Sequence, residues 1–113
     1  MHELGITRNV VAIVIEQAHG QKVLRVTLEV GRLSGFMAEA ITFCFDVCCR
    51  GTALEGATLQ IINVPGRGLC AACGAAPVMT QPLGRCPVCQ APSLRITAGT
   101  ELKIKEMEVE SCV

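Results

Sequence analysis

Tryptophan and tyrosine are missing from this chain of 113 residues, and phenylalanine occurs only three times. That leaves little from which to build a platform for stacked nucleobases. Excess charge of either sign is missing too, since ten Lys and Arg balance ten Asp and Glu. The sequence-independent attraction for phosphate that drives most nucleic-acid binding is therefore weak. There is no long apolar run: the most apolar early stretch, Val10 to Ile15, is broken by Glu16, far short of the roughly 20 residues that span a bilayer. Glu3 stands where an export signal would carry positive charge. These absences point to a cytoplasmic protein with neither membrane nor nucleic acid as partner. The length fits one main core plus a small appended module and excludes a large multidomain enzyme.

What the chain has in abundance is cysteine, eight in all. In a reducing compartment such cysteines more often hold metal than form bridges. Cys70-x-x-Cys73 and Cys86-x-x-Cys89, with twelve residues between the pairs, place four turn-borne thiolates within reach of one tetrahedral ion. Zinc suits four soft ligands, and an all-sulfur set is closed, hence structural rather than catalytic. Gly74 can take the turn conformation after the second cysteine of the first pair. The other readings of this pattern are two disulfides, a redox-active pair in a thiol oxidoreductase, or a zinc ribbon that binds another protein or RNA. Between Glu55 and Glu101 the only charged side chains are Arg67, Arg85 and Arg95, which in the zinc reading offset the net negative charge of the four-thiolate ion. Cys44, Cys48 and Cys49 read as packed thiols of a helix, and Cys112 as a spectator near the C-terminus.

Around the cysteines the hydrophobic pattern predicts an α+β fold. Leu4, Thr7, Val11, Val14, Ile15 and Ala18, widened by Ile6, Val10 and Ile13, form the apolar stripe of a helix over 3–19, ended by Gly20. Val23 to Val30 alternates as a half-buried strand, with Leu24, Val26, Leu28 and Val30 on one face. Ala38, Ile41, Cys44, Phe45, Cys48 and Cys49 predict a second helix over 38–50, stopped by Gly51. Thr58 to Val64 carries apolar residues on both faces, the mark of a covered central strand. From Pro65 to Ser93 periodicity disappears and a separate unit is expected, held by its ligands rather than by a core. Periodicity returns at 101–109 with a change of phase near Lys105 and Glu106, and this strand rejoins the first domain. The expected architecture is two helices packed on a small three-stranded mixed sheet, with an inserted four-cysteine zinc module. The first domain then covers 1–65 and 96–113, and the zinc-binding domain 66–95.

Two histidines are present. His19 reads as a residue at a helix C-terminus, favourable to the helix dipole. His2 is different, because a free Met1 amine, the amide nitrogen of His2 and its imidazole can close adjacent chelate rings around one ion. Such a planar nitrogen set suits Ni(II) or Cu(II). Met1-His2-Glu3-Leu4, Glu29-Val30-Gly31-Arg32-Leu33-Ser34-Gly35, the four cysteines and the ending Glu101-Leu102-Lys103-Ile104-Lys105-Glu106-Met107-Glu108-Val109-Glu110 together resemble the HypA/HybF family, nickel metallochaperones of hydrogenase maturation. The similarity runs the length of the chain. It implies a non-enzymatic carrier that holds Ni(II) at its first residues and hands it to the precursor of the nickel-iron hydrogenase large subunit, working with a HypB-type nickel GTPase. By the same resemblance His2 is the principal nickel ligand, the Met1 amine a supporting donor, Glu3 an orienting residue, and Cys70, Cys73, Cys86 and Cys89 the zinc ligands. Relatives that recruit a histidine from the zinc region have no counterpart here, which leaves the remaining nickel donor open.

Overall fold

The computed structural model describes residues 2–81, 84–92 and 94–110, with the backbone alone for His2. Helix α1 spans His2–Ala18 and α2 spans Ala38–Cys49. The first sheet contains β1 (Val23–Gly31), β2 (Thr58–Val64) and β6 (Leu102–Val109). A second sheet, which the sequence did not predict, contains β3 (Gly66–Cys70), β4 (Val78–Met79) and β5 (Leu94–Ala98). No helix among the described residues is long and apolar enough to cross a membrane.

The chain divides into two compact units. The first is 1–29, 36–62 and 103–113; the second is 30–35 and 63–102. In the first unit, Thr7, Val10, Val11, Val14 and Ala18 of α1 are buried, as are Ile41, Phe45 and Cys49 of α2 and Leu54 after it. The helical stripes thus form as their spacing dictates, narrower than predicted: Leu4, Ile13 and Ile15 are exposed. The α1 helix stops one residue early, at Ala18, because His19 and Gly20 both turn left-handed, φ 51° and 84°. Helix α2 has no side-chain cap of its own at Met37. The amide of this cap residue is met from α1: Met37 N–H donates to Glu3 Oε2 at 3.2 Å.

The order of the first sheet is β2-β1-β6. Val23 N–H donates to the Ala53 carbonyl and Arg32 N–H to that of Val64, partners that rise together, so β1 and β2 run parallel, as a helical crossover through α2 requires. Gly31 N–H donates to Glu101 O and Glu110 N–H to Lys22 O, partners that run in opposite directions, so β6 is antiparallel and the sheet is mixed. Two expectations change here. The central strand is β1, not β2, whose residues are half-buried or exposed at a sheet edge. Accordingly β1 is covered on both faces, burying Thr27 beside Val26 and Leu28 while Leu24 is 41% exposed. In β6 the exposure pattern changes phase at Lys105 and Glu106, both exposed.

In the second unit β3 is the middle strand of the order β4-β3-β5, antiparallel to both neighbours, with Gly66 opposite Met79, Arg67 opposite Val78 and Leu69 opposite Arg95. Its buried positions are Gly66, Gly68 and Cys70. Side chains from elsewhere in the unit occupy the space that the two glycines leave: a Cβ on Gly66 would come within 2.6 Å of Leu33, and one on Gly68 would overlap Met79 Sδ.

Candidate metal centre

Strand β3 ends at Cys70, and the chain turns at once. Gly74 N–H donates to the Cys70 carbonyl at 2.9 Å, and Cys70 N–H donates to that of Ala75 at 2.8 Å. The second pair repeats this pattern: Gln90 N–H donates to Cys86 O at 2.8 Å and Cys86 N–H to Ala91 O at 3.0 Å. Both loops are therefore the same knuckle, and in both the residue after the second cysteine is left-handed, Gly74 at φ 77° and Gln90 at φ 65°. Gln90 is a position that the reading of the sequence passed over. The internal match of Cys-Ala-Ala-Cys-Gly-Ala with Cys-Pro-Val-Cys-Gln-Ala carries the signal that identifies it.

The two knuckles bring four sulfurs together, all within 4.8 Å of one another. Cys70 Sγ lies 3.6 Å from Cys89 Sγ, and Cys73 Sγ lies 3.6 Å from Cys86 Sγ. Sulfurs bound tetrahedrally at about 2.3 Å from a zinc ion stand ~3.8 Å apart, so the donor set fits that ion. Both of these contacts run between the knuckles, and at 3.6 Å they are not disulfides.

Charge within the cluster is uneven. The Cys73 amide, helped by that of Ala72, draws the Cys70 thiol down to about 6. The amides of Cys89 and Val88 draw Cys86 down in the same way. Cys73 receives the Ala75 N–H, which lowers it, yet desolvation and the neighbouring sulfurs push it up to about 12. Cys89 is likewise raised by desolvation and by Cys70, against the pull of the Ala91 N–H. Each knuckle thus offers one sulfur prepared as thiolate by backbone donors, buried, and one exposed thiol.

The three arginines do not act alike. Arg85 Nη1 donates to the Gln90 carbonyl at 3.0 Å and braces the second knuckle. Arg67 and Arg95 stand on the sheet face opposite the one that carries Cys70, which corrects the expectation that all three serve the cluster. Cys44 and Cys48 are half-buried on α2, and Cys49 is buried. Burial first, then the charges of Cys48 and Asp46, pushes the Cys49 thiol up to about 11, so it stays protonated as a packed core group.

At the start of α1 the Glu3 carboxylate is held below its ordinary range by its own amide and by that of Met37, donors characteristic of helix N-termini. Met1, the side chain of His2 and Cys112 lie outside the described residues. Among those that are described, the four cysteines are the one group of three or more potential metal ligands gathered in one place.

Residues 1–109 match the family described as hydrogenase/urease nickel incorporation, metallochaperone, hypA. The chain is 60% identical over its whole length to the full-length hydrogenase maturation factor HypA of Rippkaea orientalis and 59% identical to that of Crocosphaera subtropica. The factor of Geobacter metallireducens is 50% identical, with 97% of this chain aligned to all of that one. Among solved structures, the nickel metallochaperone HypA from Helicobacter pylori superposes with a TM-score of 0.66 at 20% identity, covering 95% of this chain and 96% of that one. A second HypA solution structure gives 0.70 at 22% identity, with 97% of each chain covered. At these identities the structural likeness speaks for the fold.

Proposed function

The chain belongs to the HypA family of nickel-incorporation metallochaperones, which act in hydrogenase maturation, and on that premise we propose that it carries Ni(II) at its N-terminus and delivers it to the precursor of the nickel-iron hydrogenase large subunit. The observation that carries this reading is the family match from the first residue to 109. His2 is the principal nickel ligand, the Met1 amine a supporting donor, and Glu3 orients the site. The Met37 amide supports that role, because it ties the Glu3 carboxylate to the start of α2. Cys70, Cys73, Cys86 and Cys89 hold zinc, whose role is structural, within a zinc-binding domain of 66–95. Residues 1–65 and 96–113 form the nickel-binding domain.

The protein acts without catalysis, in the cytoplasm, where a reducing milieu keeps four thiols available. A HypB-type GTPase is its working partner, and neither nucleic acid nor a membrane is needed. An ion held mainly by a chain end can be engaged by a second protein's ligands before the first set lets go, so the cargo need not pass through free solution. The family description names urease beside hydrogenase, and a urease apoprotein is the second client to try.

Nickel titration of the protein with its native start, beside a version extended by Gly-Ser, tests the reading. The native protein binds tightly, extension weakens binding, and His2→Ala loses nickel while the fold and zinc stay in place. Because imidazole must shed its proton to bind, nickel capture falls as pH drops through about 6.5. Equal affinity in the native and extended proteins removes the terminal site from consideration.

A further inference from the structure

One face of the second sheet is open. Directly opposed residues of an antiparallel pair share a face, as do residues two apart on a strand. Arg67 lies opposite Val78, and Leu69 lies opposite Arg95. These four side chains therefore stand together, and all are exposed: Leu69 at 37% and Val78 at 57%, with both arginines among the exposed residues. The other face carries the buried Gly66, Gly68, Cys70 and Met79. Neither the Arg67 nor the Arg95 guanidinium has an ion-pair partner among the described residues.

The surroundings sharpen this pattern. From Gly56 to Thr100 the sequence holds no acidic residue, so nothing in that stretch neutralises the two guanidiniums. In a chain of zero net charge this is a concentrated cationic patch, interleaved with apolar side chains and without an aromatic group.

We propose that the Arg67, Leu69, Val78 and Arg95 face docks an acidic, amphipathic segment of a partner protein. Carboxylates pair with the two guanidiniums, whose planar forks match them in a bidentate fashion. Aliphatic side chains of the same segment cover Leu69 and Val78, which gives the contact a desolvated centre that charge alone does not supply. RNA fits less well, since two arginines contact few phosphates and no ring is present for a base to stack on. The inference is independent of the nickel site, which lies on other residues.

The test uses the zinc-loaded full chain with three probes: a short acetylated peptide alternating Glu and Leu, its Lys-for-Glu counterpart, and an oligouridylate of equal charge. Amide chemical shifts on adding the acidic peptide move most at Arg67, Leu69, Val78 and Arg95. The double variant Arg67→Glu/Arg95→Glu weakens binding at least about tenfold. Leu69→Ser/Val78→Ser weakens it severalfold, which attraction between charges alone would not produce. The cobalt(II) spectrum of a four-thiolate site, unchanged in each variant, shows that the module is intact. Should charge reversal disturb that spectrum, Arg67→Gln/Arg95→Gln gives the same reading with less perturbation. Unchanged affinity after loss of both arginines overturns the proposal, as do shifts centred elsewhere or an oligouridylate that binds as tightly as the acidic peptide.

Discussion

A glutamine held at φ 65° adopts a conformation that costs an ordinary L-residue about 1–2 kcal/mol. Gln90 adopts it because its N–H must reach the Cys86 carbonyl, as Gly74 reaches Cys70 at no such cost. Gln90→Gly therefore stabilises the metal-loaded protein by about 1 kcal/mol, and Gly74→Gln destabilises it by a similar amount. Urea unfolding followed through amides of the two knuckles measures both, and equal effects of the same sign would contradict the equivalence of the loops. This pair also marks how far residues alone could be read. Gly74 announces its turn, because glycine after a metal-binding cysteine is a familiar device. Gln90 does not, because its conformation is imposed by ligand geometry and by the Arg85 guanidinium on its carbonyl, neither of which appears in the local sequence.

At the scale of elements, legibility followed the kind of packing involved. Helices α1 and α2 bury aliphatic side chains at helical intervals, and β6 half-buries them in an alternation that shifts once at Lys105 and Glu106, so the spacing of these elements was visible. Strand β1 was visible as a strand, but not in its cover on both faces. Strand β3 was not, because the residues on its buried face are Gly66, Gly68 and Cys70: the strand alternates, but its inner positions contribute almost no apolar signal, and Leu33 and Met79 supply the volume from elsewhere. The apolar residues on both faces of β2 misled in the opposite direction, since they are half-buried at an edge. The same close backbone packing explains Gly31. Its N–H donates to Glu101 O, and a Cβ there would overlap the Gly99 carbonyl oxygen. Gly99 itself sits at φ 92° with its Cβ direction 2.6 Å from Gly66 Cα, so neither backbone has room to retreat. Gly31→Ala thus lowers stability by about 2–3 kcal/mol. Gly5, a helical glycine with nothing within 4 Å, behaves oppositely, and Gly5→Ala raises stability by about 0.5–1 kcal/mol. Denaturant midpoints of the two variants decide the matter: a Gly31→Ala protein as stable as the wild type would mean that the backbones are not so tightly apposed.

For the molecule as a whole, the two units are held by different means. The first buries aliphatic side chains from two helices and a central strand. In the second, the buried apolar side chains among the described residues are Val30, Met79, Cys70 and Cys86, too little to offset the entropy of ordering that stretch. On the zinc reading proposed above, the ion supplies the difference, and its binding energy is folding energy for the module. Chelation, or Cys73→Ser, is expected to abolish hydrogen-exchange protection across 66–98 while the helical circular dichroism and the protected amides of α1, α2 and β1 persist. Collapse of both units together would show that the ion supports the entire fold. The protons released on rebinding test the uneven charge of the cluster as well. Near pH 7.5, Cys70 at about 6 is already ionised and Cys86 is lowered, whereas Cys73 and Cys89 are raised and keep their protons. The zinc-bound state holds fewer protons than the metal-free one, so affinity rises with pH, and the protons displaced come chiefly from Cys73 and Cys89. Calorimetry in buffers of differing ionisation enthalpy should count fewer than four protons per zinc bound at that pH, because Cys70 has already lost its own; a count of four would mean that the backbone donors do not prepare Cys70 for the metal.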